Sequence, residues 1–531
     1  MISEALKKKV GQMMMVGFPS PFVDDQARAL LNDFYVGNYI YFGRNCNTGK
    51  QVAELSRDLS NMVYDKLGIA PFITIDQEGG TVSRLTEGAA LMPGAACVSA
   101  ATLELTDEYL KDVYQLGYND GKILRACGIT IANAPDLDVN IEPKNPIIGC
   151  RSYGDDPARV AKVGTAMMLG MKAAGEGAAI KHFPGHGNVS SDSHLGIPVN
   201  DTPYETLLET EFKPFEIGFK NGAVAIMSAH VRYTDVDPEV PATLSYKIHT
   251  ELLRERYGFE GVDMTDCLEM DAMRKFYPHG ECAVRAIEAG VDILTISHTY
   301  EAASDAVNAI YAALESGRLT EERIDLSYQR IMKLKKEIGL LEKQNIDPEE
   351  AMKEALDPEK IAHCQKLARR AITVIKGDVD VELNDQLLVI APPQIASTGA
   401  EDLERLSLVE AIVKECGAAG VEFPLNCKDE SEMDPYVKKA EELIDQGYKH
   451  VLLGLFNARF RTAALKMLKM LEERSDIDLT VVLLGAPYDA EKLEGDEKVL
   501  TTYDYTNLGV SALIKALKEK TFTGKLPYSR L

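Results

Sequence analysis

The sequence predicts an α/β protein, a (β/α)8 barrel followed by a smaller α/β sandwich. Two observations carry that expectation. Short apolar runs recur through the first part of the chain, each followed by a longer amphipathic stretch. After Leu340 that rhythm breaks at two helix starts, and a second, shorter alternation begins. With 531 residues, 45% of them hydrophobic, the chain has the material for more than one core.

In chain order the first runs are VGQMMMVGF (10–18), NYIYFG (38–43), PFITID (71–76), GITIAN (128–133), AAIKHF (178–183), AVAIMSAH (223–230), GVDMTD (261–266) and GVDILTIS (290–297). Runs of this length read as strands buried on both faces, as in parallel sheets. Helical patterns such as GTAMMLGMKAAGEG and GECAVRAIEAG separate them. Eight β-α units suit a closed barrel better than one open sheet, so residues 1–340 are expected to form the barrel. Residues 341–370 read as a helical linker, because Asp347-Pro348 and Asp357-Pro358 each place a capping Asp before a Pro at the first helical position. Residues 371–531 carry five more runs, DQLLVIAPP, GVEFPLN, HVLLGLFN, LTVVLLGAP and KVLTTYDY, and are expected to form the sandwich.

Composition narrows the partners. Lysine and arginine total 58 against 82 acidic residues, a net charge of −24, which disfavours nucleic acid or an anionic membrane surface. No apolar run approaches the length of a membrane helix. Lys7-Lys8-Lys9 and the run after it imitate a signal peptide, but Gln12 and Gly17 interrupt the run and no small-residue cleavage site follows. The nine cysteines, never spaced C-x-x-C, read as free thiols, so a cytoplasmic location is expected.

A barrel builds its site at the carboxyl ends of its strands. Here those ends are polar: Asp76 with Arg84 beyond it, Arg151 in the loop after the fourth run, Lys181-His182, His230 and Asp266. The densest window is KHFPGHGNVSSDSH (181–194), which holds three of the nine histidines and Asp192. Its His182, His186, Asp192 and His194 are competent zinc ligands, yet Pro184 and Gly185 oppose the helix that a four-residue His pair needs. Acid–base chemistry by Asp192 and His194 is the better account. Two residues apart on an extended loop, they lie on one side, and the carboxylate favours a protonated imidazole. Asp266 is the matching anion, at a strand end ahead of an expected helix start at Cys267, with Asp263 and Asp271 as rivals by spacing alone. An ionised carboxylate facing a protonated acid is the arrangement for double displacement at a sugar's anomeric carbon.

DQEGGTVSRL, NPIIGCRSYG, KHFPGHGNVSSDSH, AIMSAH and YGFEGVDMTDCLEM, in this order, resemble the family-3 glycoside hydrolases, and within them the β-N-acetylglucosaminidase branch. The resemblance spans residues 1–340, and GKLPYS (524–529) resembles the usual end of the family's second domain. It implies a retaining hydrolase acting on terminal β-linked N-acetylglucosamine without metal or organic cofactor. Asp266 would be the nucleophile, His194 the acid/base and Asp192 its partner, while Asp76, Arg84, Arg151, Lys181 and His182 would grip the sugar. Two departures are Thr81, where many relatives carry arginine, and the absence of tryptophan. Cell-wall (muropeptide) fragments and chitin pieces fit equally as the glycan substrate. The alternatives are a β-glucosidase or β-xylosidase, a phosphorylase of the same family, a zinc-dependent barrel hydrolase, or a non-catalytic sugar binder. For residues 371–531, lining the cleft, forming a homodimer and simple packing all stand open.

Overall fold

The computed structural model describes residues 2–190, 196–394 and 406–530. The first sheet uses β1 (Met14–Val16), β2 (Asn38–Tyr41), β3 (Phe72–Ile75), β4 (Ile131–Ala132) and β5 (Gly177–Phe183). After a short excursion through β6 (Val199–Asn200), it continues with β7 (Ala225–Ser228); β8 (Arg232–Tyr233) pairs with β6, and β9 (Val262–Thr265) and β10 (Leu294–Ile296) complete the ring. Neighbours pair in parallel in the order β10-β1-β2-β3-β4-β5-β7-β9. A bridge between Met264 and Ile293, with the Thr265 amide donating to the Ile293 carbonyl at 3.0 Å, joins β9 to β10 and closes the barrel. All eight apolar runs thus supply the barrel strands, and strands such as NYIY, FITI and AIMS are buried throughout because helices cover the outside and side chains fill the inside.

The strands are shorter than the runs. Residues 10–12 of VGQMMMVGF end the helix Glu4–Gln12, and only Met14–Val16 is extended. Asp347 and Asp357 cap the helices Pro348–Ala355 and Pro358–Ala371 as the Asp-Pro spacing requires, each accepting from the amide two residues on.

The second sheet has six strands, one more than expected. β11 (Thr373–Lys376), β12 (Leu387–Ala391), β13 (Ala419–Glu422), β14 (His450–Leu455), β15 (Asp478–Leu483) and β16 (Lys498–Thr501) lie in the order β11-β16-β15-β14-β12-β13. All pairs are parallel except β11 with β16. β11 has no turn signal before it, since it follows the helix ending at Ala371 almost directly, and as an edge strand it lacks a continuous buried face.

The two units lock together beside the barrel's carboxyl-end loops. Asn140 donates to the Tyr488 hydroxyl at 2.8 Å, and Tyr528, buried in the GKLPYS segment, donates to the Gly149 carbonyl at 3.0 Å. Among the described residues no helix is long and apolar enough to cross a membrane.

Candidate active site

A cavity of about 710 Å³ opens at the carboxyl ends of the barrel strands and is walled on one side by the second unit. Its floor carries Asp76, Arg84, Arg151, Lys181, His182 and Asp266. Six of the residues singled out from the sequence therefore meet in one place. Asp192 and His194 lie outside the described residues.

Asp76 follows β3 and takes the Lys181 ammonium at 3.0 Å and the Arg84 guanidinium at 3.4 Å. Burial alone would raise its pKa, but those two cations outweigh it and hold the carboxylate well below the usual range. Glu78, two residues on, accepts both arms of Arg151 at 2.8 Å and also contacts Lys181. Glu78 is held low against the cost of burial by Arg151 and Lys181, and Lys181 is raised in return once its own burial is offset. Sequence reasoning passed over Glu78, though it sits in the quoted DQEGG motif. The sharp reversal that brings both carboxylates inward needs Gly79, at φ +89°, where a Cβ would lie 2.3 Å from the Pro93 carbonyl oxygen.

Lys181 and His182 are sequence neighbours, yet both face the cavity. In a regular strand they would point to opposite faces. The β5–β7 ladder is irregular at this point: Lys181 pairs with Met227 and Phe183 with Ser228, which leaves His182 as an extra residue. A bulge of this kind re-aims side chains. Only tertiary pairing reveals it.

His182 is held by a residue the sequence reading missed. Its Nδ1 lies 2.7 Å from Asp138, which also accepts the His182 amide at 3.3 Å and the His186 amide at 2.6 Å. With Nδ1 donating to Asp138, Nε2 is free to accept from the Arg151 guanidinium 3.3 Å away. Burial lowers His182 to about 4 and His186 to about 3, so both rings are neutral at pH 7. Burial raises Asp138 to about 6 and pushes its neighbour Asp136 well above the carboxylate range. The available signal was the D-L-D at a strand end, two acids on one side of extended chain. Gly187 then lets the loop pass against the Val139 carbonyl, where a Cβ would lie 1.8 Å from the oxygen.

Asp266 follows β9 and accepts its own neighbour's amide, Cys267, at 2.6 Å. That amide belongs to a turn, because the next helix spans Asp271–Arg274 and not Cys267 onward as expected. The rivals separate at once. Asp263 is fully buried and paired with His249 at 2.6 Å, and Asp271 lies outside the cavity lining, paired with Lys275 at 2.8 Å. His230 Nε2 donates to the Cys267 carbonyl at 2.9 Å and its Nδ1 lies 2.6 Å from the Thr243 hydroxyl, bracing the turn after Asp266.

Two clusters have metal-ligand chemistry among the described residues, Asp136-Asp138-His182 and Cys267-Glu269-His298. In the first, Asp138 accepts the His186 amide and is bonded to His182 Nδ1, and Arg151 stands 3.7 Å from Asp136. In the second, Glu269 accepts from the His298 and Thr299 amides, and Arg44 lies 3.3 Å from His298 Nδ1. A guanidinium beside each set opposes a second cation.

Residues 5–334 match the glycosyl hydrolase family 3 N-terminal domain. The chain belongs to glycoside hydrolase family 3. It is 32% identical over 387 residues to the β-hexosaminidase A of Pseudoalteromonas piscicida, a match covering 68% of this chain and 63% of that protein. A β-hexosaminidase of Xylella fastidiosa (strain 9a5c) is 34% identical over 298 residues, 56% of this chain and 87% of its own. Among solved structures, a family 3 β-N-acetylglucosaminidase from Paenibacillus sp. str. FPU-7 superposes with a TM-score of 0.90 at 34% identity, covering 99% of each chain. That superposition takes in both the barrel and the second unit of this family 3 protein.

Proposed function

We propose that this chain is a retaining β-N-acetylglucosaminidase that releases terminal β-linked N-acetylglucosamine. The observation that carries the reading is the cavity itself: a strand-end carboxylate, Asp266, opposite a ring of paired charges at Asp76, Glu78, Arg84, Arg151 and Lys181. Paired charges donate and accept at once, which is what a hydroxyl-rich pyranose with an N-acetyl group requires. The relatives' names support the amino-sugar assignment.

In this reading Asp266 attacks the anomeric carbon as the bond to the leaving oxygen breaks, and His194, charged and oriented by Asp192, protonates that oxygen. Water then displaces Asp266, with His194 taking its proton. Residues 1–340 are the catalytic unit, 341–370 the connector and 371–531 a second domain that walls the cleft.

Purified protein should hydrolyse an aryl β-N-acetylglucosaminide far faster than the aryl β-glucoside. Asp266→Asn should abolish that turnover. His194→Ala should lose activity on an unactivated disaccharide while partly retaining the first step on an aryl glycoside with a good leaving group. Full activity of Asp266→Asn in contaminant-free protein would overturn the assignment.

A further inference from the structure

His186 lines the cavity, and just beyond it the chain enters the segment that carries Asp192 and His194, both outside the described residues. The two ends of that segment are described, and one side chain joins them. Glu211 lies just past the helix Tyr204–Glu209 and is fully buried. Its Oε1 accepts from Asn188 Nδ2 at 3.0 Å and from Asn200 Nδ2 at 2.9 Å, and its Oε2 takes the Thr210 hydroxyl. Asn188 and Asn200 stand on either side of residues 189–199. Asn188 also donates to the Thr202 hydroxyl at 2.9 Å, and the side-chain oxygen of Asn200 accepts the Thr202 amide at 3.0 Å.

Each end is tied to the barrel as well. Before the segment, the Gly185 carbonyl accepts from the Tyr233 hydroxyl, and the His186 carbonyl accepts from Asn145 at 2.8 Å. Gly185, at φ +141°, packs so closely on Glu211 that a Cβ there would lie 2.7 Å from the Glu211 Cβ. After the segment, the Pro198 carbonyl accepts from the Arg232 amide at 2.9 Å and the Asn200 carbonyl from the Thr234 amide at 3.0 Å. Those bonds hold each end by itself. The distance between the ends is set by Glu211 and by the bond from Asn188 to Thr202. A carboxyl group taken out of water costs free energy that only its hydrogen bonds offset, and here two of the three run to the ends of this segment. An acid/base carried on a segment whose ends are held together stays within a smaller volume than one with a loose end, so its effective concentration at the cavity is higher.

We propose that Glu211 is a positioning residue for proton transfer: by holding Asn188 and Asn200 together it sets where the segment between them presents His194. Glu211 is outside the cavity lining, so it acts through that segment and not on the sugar. The proposal rests on the reading of His194 as acid/base and names the barrel residue that controls its place.

The test uses full-length protein and two β-N-acetylglucosaminides. The dinitrophenyl glycoside has a leaving group that departs without a proton, and the phenyl glycoside has one that needs it. Glu211→Met removes the bonds at similar volume. Glu211→Gln keeps them, since its carbonyl can accept from both asparagines while its NH2 donates to Thr210, whose own hydrogen then goes to the Thr206 carbonyl at 2.7 Å. Glu211→Met should lower kcat/KM on the phenyl glycoside on the order of tenfold to a hundredfold and leave the dinitrophenyl value within about threefold. Glu211→Gln should recover most of the loss. In a His194→Ala background Glu211→Met should have no further effect, because both changes remove the same contribution. The ratio between two substrates of one protein is not mimicked by a partial folding defect, and Asn188→Ala, which frees one end only, carries the same expectation if Glu211→Met does not fold. Equal loss on both glycosides, no loss on either, or a loss that persists in the His194→Ala background would overturn the proposal while His194→Ala alone still spares the dinitrophenyl glycoside. Equal loss on both glycosides in His194→Ala itself would defeat the acid/base reading, and the proposal with it.

Discussion

Asp138→Asn isolates the role of one buried oxygen. In the wild type one carboxylate oxygen accepts the His186 amide at 2.6 Å and the other accepts His182 Nδ1 at 2.7 Å. Asparagine can keep the first bond through its carbonyl, so the backbone of the loop stays in place. Its NH2 group then faces an Nδ1–H, two donors in contact. Shifting the ring proton to Nε2 relieves that contact but points the new N–H at the Arg151 guanidinium 3.3 Å away. One donor–donor contact is unavoidable. A lost hydrogen bond to a charged group is worth about 1.5–3 kcal/mol, or roughly ten- to a hundredfold in kcat/KM. The same logic sets a pH dependence. Burial holds Asp138 at about 6, so wild-type protein protonates this residue as pH falls through that value and loses the acceptor by itself. Wild-type kcat/KM should therefore fall below about pH 6. Asp138→Asn, already uncharged, should lack that limb and approach the wild type at low pH. The assay is kcat/KM for an aryl N-acetylglucosaminide across that range, with circular dichroism to show the fold retained. A variant within twofold of wild type at pH 7.5, about where the carboxylate is fully ionised, would refute the reasoning.

Other perturbations follow from the same structure. Lys181→Met removes a cation that holds Asp76 low, so the Asp76 carboxyl should titrate at higher pH when followed by NMR; an unmoved Asp76 titration would count against the pairing. Because His182 and His186 are held at about 4 and 3, the unfolded chain takes up protons below its ordinary histidine pKa that the folded protein refuses. Stability should thus drop as pH falls towards 4, and His186→Gln should make that drop shallower in urea melts. Lys335, fully buried, donates to Gln12, Gly37 and Ala70 at 2.7, 3.2 and 2.9 Å, so Lys335→Met strands three acceptors at the base of the barrel. It should cost about 3 kcal/mol or more, seen as a lower midpoint of the barrel's unfolding. A chelator should leave turnover unchanged, since arginines stand beside both ligand-like clusters; loss of activity that zinc restores would contradict this.

Much of this protein was legible before any coordinates. Periodicity located the eight barrel strands, because a strand buried on both faces must be apolar throughout, and the placement of Asp76, Arg84, Arg151, Lys181, His182 and Asp266 follows once strand ends converge. The choice of Asp266 over Asp263 and Asp271 was not legible, since spacing does not say which side chains enter the cavity and which pair outside it. Nor was the bulge at His182, which depends on how β5 registers against β7, or the part played by Asp138 and Glu78, whose acidic side chains look ordinary until burial and a partner make them singular. Arg459 and Arg461 lie more than 190 residues from Asp266 in sequence and share its cavity only because one unit docks against the other's loops. Local pattern dictates which segments are strands and helices, for that choice is made by neighbours along the chain. Which charges meet is decided by distant segments brought into contact, where the exclusion of water makes each pairing strong enough to matter.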